Sequence, residues 1–262
     1  MTRGKTLECP ETCLSRKSAA GLLALRCGFA FRLRSRMAVE VERKFVCEPD
    51  IQDKLKDIRA ECIGQYHFKD QYYDSTDFAL TMEDFWLRRR EGSWELKCPA
   101  ASRTNPEKKA DALCTNYREV TDLPQIKAEV RKVMKRCTGA SEDPSEREQM
   151  DGYAEDDSWL QDLKLVCFAE YTTLRCSYVL ESDGGEGRVR VDLDQADFGY
   201  CVGEIEVLVS EGDDMQSAQQ RIQKTAEKLG LGGEKKIQGK MDVYLQRYRP
   251  EHYAKLLSAH VL

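Results

Sequence analysis

The sequence predicts a single α+β domain dominated by strands that close into a barrel, with charged side chains pointing inward and helices covering the apolar outside. Three observations lead there. From Val39 onward the prevailing pattern is apolar–polar alternation with a period of two, the mark of strands. These segments are spread over the whole of that length with no internal repeat. Within single strands the charges come in same-sign groups, and several amphipathic helices have nothing else to pack against. An open sheet with one wet face also satisfies the alternation and stands as the alternative.

The 262 residues are enough to bury a full core. Residues 1–36 differ from the rest, carrying Arg16, Lys17, Arg26, Arg32, Arg34 and Arg36 around the apolar run Gly21-Leu-Leu-Ala-Leu25. They read as an extension, disordered or absent from the usual product, ahead of a start at Met37. The alternative is a mitochondrial transit peptide. The expected domain is 37–262.

Val39, Val41 and Phe45 alternate with Glu40, Glu42 and Lys44 in the first strand. Strands follow at His67–Tyr73, Phe85–Arg90, Trp94–Lys97, Thr115–Val120, Cys167–Leu180, Arg188–Asp194 and Gly203–Val209, with Gly92-Ser93 as a hairpin turn. Helical spacing links Ile51, Leu55 and Ile58 after Pro49-Asp50, then Ile126, Val130 and Val133, then Ala218, Ile222 and Leu229 up to Gly230. After Pro250, the same spacing puts Tyr253, Leu256 and Leu257 on one face. Arg103–Asp111 and the acidic stretch Ser141–Ser158 read as surface loops.

Composition removes several classes. A formal net charge of -5 argues against a nucleic-acid coat, although a local cationic pocket remains compatible with it. No apolar run approaches the ~20 residues of a membrane helix. The 11 cysteines are odd in number and lack a C-x-x-C pair, and the three histidines form no zinc spacing. Reduced thiols in a cytoplasmic protein fit better than zinc or a disulfide scaffold.

Side chains two apart on a strand share a face. Glu40, Glu42 and Lys44 therefore project together, as do Trp86, Arg88 and Arg90, Glu95 and Lys97, Arg188, Arg190, Asp192 and Asp194, and Glu204 and Glu206. Paired glutamates offer hard oxygens that suit Mg²⁺. Paired arginines offer forked donors that match phosphate. A cavity holding both kinds fits a metal-chelated polyphosphate.

Glu40-Val-Glu42-Arg-Lys44 matches the E-x-E-x-K signature of the CYTH superfamily, the triphosphate tunnel metalloenzymes. The signature alone is weak. Trp86-Leu-Arg88-Arg-Arg90, Trp94-Glu-Leu-Lys97, Val191-Asp192-Leu-Asp194-Gln-Ala-Asp-Phe-Gly199, Gly203-Glu204-Ile-Glu206 and Lys240-Met-Asp-Val-Tyr-Leu-Gln-Arg-Tyr248 strengthen it, and resemble the branch that acts on thiamine triphosphate. The resemblance runs from Val39 to Leu257, with Ala140–Asp162 departing from it.

It implies a closed eight-stranded antiparallel β-barrel forming a tunnel, and Mg²⁺-dependent hydrolysis of a small triphosphate. Glu40, Glu42 and Glu206 resemble ligands of a first Mg²⁺. Asp192, Asp194 and Glu204 resemble a group that binds or supports a second. Lys44, Arg88, Arg90, Arg175 and Lys240 resemble the phosphate-binding cations. Tyr72 and Trp86 stand where an aromatic edge could meet the organic head, with Trp86 stacking on a thiazolium or simply buried. Lys97 is the candidate to activate the attacking water, with Tyr72 orienting it; the other reading of Lys97 is one more phosphate contact. The expected partner is a small-molecule triphosphate, with no nucleic acid and no membrane, bound by a monomer. Hydrolysis of inorganic tripolyphosphate or of another triphosphate, a non-catalytic polyphosphate-binding module and a plain β-rich interaction domain are the competing functions.

Overall fold

The computed structural model describes residues 38–100, 113–138, 157–181, 187–210, 215–233 and 235–262. The extension 1–36, the loop Arg103–Asp111 and almost all of the acidic stretch lie outside them. Among the described residues there are eight strands: β1 Ala38–Phe45, β2 Glu61–Asp74, β3 Trp86–Arg90, β4 Ser93–Pro99, β5 Cys114–Val120, β6 Val166–Glu181, β7 Arg188–Ala196 and β8 Tyr200–Ser210. They hydrogen-bond in the order β1-β5-β4-β3-β2-β6-β7-β8 and close into a barrel. The open sheet is thereby excluded. Among the described residues no helix is long and apolar enough to cross a membrane.

The chain divides into two compact units, each drawn from three stretches. One comprises the stretch ending at Phe68, then Ala100–Arg118 and Thr172–Val243; the other is Lys69–Pro99, Glu119–Tyr171 and Tyr244–Leu262.

In the first unit the apolar parity of the strands forms the core. Val39, Val41 and Phe45 of β1, Val189, Val191 and Leu193 of β7, and Ile205, Val207 and Val209 of β8 pack together. Helices α1 (Ile51–Asp57) and α4 (Met215–Lys228) cover them with Ile51 and Leu55, and with Ala218, Ile222 and Ala226. The spacing of those three α4 residues puts them on one stripe, and burying Ile222 contributes roughly 1.5–3 kcal/mol. Helix α4 stops where expected. Gly230 takes a φ of 67°, and the Leu231 amide bonds back to the Ala226 carbonyl at 2.9 Å, a left-handed cap that glycine adopts without strain. Arg43 shares the apolar parity, yet its guanidinium is satisfied by Gln223 at 2.7 Å and by the carbonyls of Leu231 and Gly233.

The second unit repeats the scheme. Leu87, Trp94, Leu96, Cys98 and Val120 pack under Ile126, Val130 and Val133 of α2 (Leu123–Thr138), and against Trp159 and Leu160 of the short α3 (Ser158–Asp162). The two tryptophans meet edge-on at 5.2 Å. The hairpin between β3 and β4 is displaced by one residue from the sequence reading. Arg90 pairs with Ser93, so the turn is Glu91-Gly92, with φ of 45° and 83°. Two consecutive positive φ values make a type I′ turn, whose twist suits a hairpin, and glycine carries the second.

The C-terminal helices are α5 (Lys240–Tyr248) and α6 (Pro250–Ser258). The expected apolar face of α6 is corrected: His252 and Leu256 are buried, while Leu257 is 44% exposed. Leu257 lies one residue past the buried His252–Leu256 row, too far round the helix to share it.

His252 is buried for a specific reason. The Asp74 carboxylate accepts hydrogen bonds from the amides of Ser75, Leu80 and Thr81 and from the Thr81 hydroxyl at 2.7–2.9 Å. The Thr81 hydroxyl also meets His252 Nε2 at 2.7 Å. With the Thr81 proton donated to Asp74, neutral His252 must donate from Nε2. Its Nδ1 is buried without a hydrogen-bond partner. Phe78 stacks on the ring at 3.7 Å and Phe168 meets it edge-on. A proton added at Nδ1 would find no acceptor, and burial, with Lys255 and Arg249 adding to it, lowers the His252 pKa to about 4.

An imidazole depressed in the folded state costs nothing above its unfolded pKa near 6.5. As pH falls from there to about 4 the unfolded chain takes up a proton that the folded chain refuses, and roughly 3 kcal/mol of stability is lost. His252→Gln keeps a donor near Nε2 and does not titrate. Urea unfolding from pH 7 to pH 4 should therefore show a steeper loss in the parent chain than in His252→Gln. Asp74 titrates in both proteins and cancels in the comparison. Parallel curves would refute the assignment.

Candidate active site

The residues that alternate with the cores carry the charges, and the strand register decides which of them meet. In the first unit Glu42 of β1 stands opposite Glu206 of β8, with Thr115 on its other side and Arg190 beyond Glu206. Two residues along, Lys44 stands opposite Glu204, which stands opposite Asp192, which in turn faces Ser177. Carboxylates are thus placed directly against carboxylates on two successive rungs. Such pairs repel unless cations enter between them.

The cations are there. Arg175 of β6 reaches Asp192 at 2.5 Å, Asp194 at 2.6 Å and Glu204 at 2.9 Å. Lys240, in the first turn of α5, contacts Asp194 and lies 3.2 Å from Glu204. Lys44 pairs with Glu42, which also accepts from the Thr115 hydroxyl at 3.0 Å. Arg190 donates to Asp192 at 2.9 Å. Burial pushes the Asp194 carboxyl up, but Arg175 and then Lys240 outweigh it and hold the pKa below the usual value. Burial opposes the charge on Lys240, and Asp194 and Glu204 overcome that to raise its pKa.

Among the described residues, no three acid, histidine or cysteine side chains are gathered as a metal-binding group. Glu42, Asp192, Asp194 and Glu204 contact Arg175, Lys240 or Lys44 instead. Their chemistry nonetheless fits a hard divalent cation. Every donor is a carboxylate oxygen, Glu42 and Glu206 face each other across a rung, and Glu40 lies on the same face of β1. Buried Asp192 Oδ2 lies close to Arg175 but accepts no well-directed hydrogen bond.

The second unit holds the other predicted residues on neighbouring rungs. Tyr72 stands opposite Arg88, Arg88 opposite Glu95, and Trp86 opposite Lys97. Arg90 forks onto Asp70 with bonds of 2.6 and 2.8 Å, and Asp70 is wholly buried. Arg88 donates to Glu95 at 2.7 Å and reaches Glu119 at 3.2 Å. Burial works to raise the Glu95 pKa, and Arg88 and then Arg90 bring it below the usual value. Tyr72 is buried, its ring stacked on Tyr171 and its hydroxyl accepting from the Tyr171 hydroxyl at 3.4 Å. Trp86 is 9% exposed and donates from Nε1 to Asp84 at 3.0 Å. Lys97 is half-buried.

All predicted residues therefore lie on strands or on the first turn of α5, with Tyr72, Trp86, Arg88, Arg90 and Lys97 in the second unit and the others in the first. Sequence reading did not select Arg190, Asp70, Glu119 or Ser177. Arg190 was accessible by parity, being two residues before Asp192. Asp70 was accessible too, two before Tyr72. Ser177 was accessible as well, two after Arg175, whereas Glu119 comes to Arg88 from a strand 31 residues on and nothing in the sequence marks it.

With this geometry in place, the comparisons can be read. The CYTH domain family matches residues 38–239. Human thiamine-triphosphatase is 38% identical over 224 residues, covering 84% of this chain and 89% of the relative. The Macaca fascicularis thiamine-triphosphatase is 36% identical over 225 residues, with the same coverage of both chains. Among solved structures, a Pyrococcus horikoshii protein covers 79% of this chain and 98% of its own at 19% identity and a TM-score of 0.48. A putative adenylyl cyclase from Hippeastrum, described as having a dominant triphosphatase activity, covers 80% and 96% at 17% identity and a TM-score of 0.46.

Removing Arg175 leaves buried Asp192, Asp194 and Glu204 short of a shared partner. Arg175→Ala should cost about 3–5 kcal/mol of unfolding free energy. Adding Asp194→Asn to that variant should return part of the loss, since one orphaned charge goes. Chemical denaturation of both variants measures this; an Arg175→Ala protein as stable as the parent would overturn the account.

Proposed function

Because the chain belongs to the CYTH domain family, we propose that it hydrolyses thiamine triphosphate to thiamine diphosphate and phosphate with Mg²⁺ as cofactor. The observation that supports this most directly is the opposition of Glu42 to Glu206, beside a cluster in which Arg175 and Lys240 share three further carboxylates. Phosphate binding alone gains little from so many acids. A phosphate chain carried with a divalent cation needs acids and bases together.

Glu40, Glu42 and Glu206 would hold Mg²⁺, which when bound neutralises phosphate charge and orients the chain. Asp192, Asp194 and Glu204 are engaged by Arg175 and Lys240 and serve to aim those two cations at phosphate oxygens. Arg88 and Arg90 present forks already fixed by Glu95 and Asp70, so little side-chain freedom is lost on binding. Charge that develops on the terminal phosphoryl group and the leaving diphosphate is met by these guanidinium groups. A water attacks the terminal phosphorus in line. Tyr72 orients it, and Lys97, in its unprotonated amine form, accepts the water's proton and becomes ammonium as the anhydride bond breaks toward thiamine diphosphate.

Hydrolysis of inorganic tripolyphosphate is the second reading. One observation favours it: Trp86 is nearly buried and its indole N–H is engaged by Asp84, which leaves little ring for an organic head.

Phosphate release from thiamine triphosphate, tripolyphosphate and ATP, each with Mg²⁺, Ca²⁺ or chelator, tests both readings. Thiamine triphosphate with Mg²⁺ should be turned over fastest, chelator should abolish turnover, and Ca²⁺ should support it poorly. A preference for tripolyphosphate selects the second reading, and turnover of none of them defeats both. Lys97→Ala should lower kcat by about 10²–10⁴-fold with little change in KM. A raised KM at unchanged kcat would make Lys97 a phosphate contact instead. Arg90→Lys should also lose activity, because an ammonium cannot replace the fork held by Asp70.

A further inference from the structure

Each rung of the β1–β8 ladder joins residues in strict antiparallel register, from Ala38 opposite Ser210 to Phe45 opposite Gly203. The ladder ends at Phe45; Cys47 follows two residues beyond it, and the same register carried on by two positions brings it toward Cys201, which lies on β8 opposite Gln195 of β7. On the neighbouring rung the Phe45 ring lies directly over Gly203, where a Cβ would come within 2.1 Å of it. Cys47 packs against the same apolar core as Phe45, while Cys201 is exposed. Their proximity has an independent sign. After burial, Cys201 is the next influence raising the Cys47 pKa, to about 12. Cysteines elsewhere in the barrel face other partners, Cys114 opposite Arg43 and Cys176 opposite Leu193. Facing residues on an antiparallel pair have Cα atoms roughly 4.5–5.5 Å apart, inside the range a disulfide spans.

We propose that Cys47 and Cys201 form an oxidisable pair that a peroxide converts from two thiols to a cross-strand disulfide. Cys201 is the more exposed of the two and meets the oxidant, its own thiol also pushed up by burial. Its thiolate attacks one peroxide oxygen, the O–O bond breaks, and the departing hydroxide is protonated to water, leaving Cys201 as a sulfenic acid. The Cys47 sulfur then attacks the Cys201 sulfur. The S–S bond forms, the S–O bond breaks, and the Cys47 proton leaves with the hydroxyl as a second water. The thiols are oxidised and the peroxide is reduced, with nothing left over. A buried thiol that ionises only at high pH attacks slowly, so the second step limits the rate. Cys201 sits on β8, the strand that carries Glu204 and Glu206, and Cys47 follows directly after β1, the strand that carries Glu42 and Lys44.

The test uses the full chain with hydrogen peroxide, followed by digestion under non-reducing conditions and mass spectrometry. A Cys47–Cys201 linked peptide should appear with time and vanish on adding dithiothreitol. In Cys201→Ser no linked peptide containing Cys47 should form, and Cys47 should remain a thiol. In Cys47→Ala, Cys201 should instead stop at the sulfenic acid, trapped by dimedone, or proceed to higher oxides. Linkage of either cysteine to a different thiol in the parent chain, or oxidation of Cys201 with Cys47 still free, would overturn the pairing.

Discussion

Like charges set against each other across a strand ladder are the constraint on which the rest of this structure turns. Glu42 against Glu206 and Asp192 against Glu204 cannot be tolerated by strands alone, since each pair brings two carboxylates within the reach of a rung. The fold meets the second pair by sending one guanidinium, Arg175, onto three acids and by starting α5 with a lysine aimed at two of them. These groups are nearly dry, so each bond is strong and each loss would leave a buried charge unmatched. Around the first pair stand Lys44 and Thr115 on Glu42, and Arg190 opposite Glu206.

Keeping such a charged face requires the apolar face to be stabilised from the other side. In one unit α1 and α4 cover the valines and isoleucines of β1, β7 and β8; in the other α2 and α3 cover β3, β4 and β5. Helix and strand share the work by period: every second strand residue and every third or fourth helix residue enters the same core. The hydrophobic gain therefore comes from the parity that carries no function. The opposite parity is left free to hold charges that would be unacceptable in an ordinary core.

Buried polar groups outside the charged clusters follow the same economy of partners. Asp74, Thr81 and His252 form a relay in which each proton has one destination, and the unmatched Nδ1 requires His252 to stay neutral. Arg43 shows a cation on an apolar parity made acceptable by three oxygen acceptors. In the second charged cluster, Arg90 and Arg88 are held by Asp70 and Glu95, so their forks keep fixed directions. Positional rigidity of this kind is what phosphoryl transfer asks of a protein.

Sequence alone determined which side chains share a face. A period of two allows no choice once a strand is assigned, so Glu40 with Glu42, Arg88 with Arg90, and Asp192 with Asp194 were grouped correctly before any coordinates. The strands, the long helices and the end of α4 at Gly230 were legible for the same local reason. Only the tertiary structure decided which groups oppose which. Register between β1 and β8, or between β7 and β8, joins residues more than 150 and about a dozen positions apart respectively, and no local pattern specifies the first. The β1–β8 register made Glu42 the partner of Glu206, the β6–β7 register brought Ser177 to Asp192, and the β3–β4 register put the turn at Glu91-Gly92. Tertiary packing also explains why His252 is inside and Leu257 outside: Thr81, in a short 3₁₀ turn remote in sequence, supplied the hydrogen bond that made the histidine acceptable there.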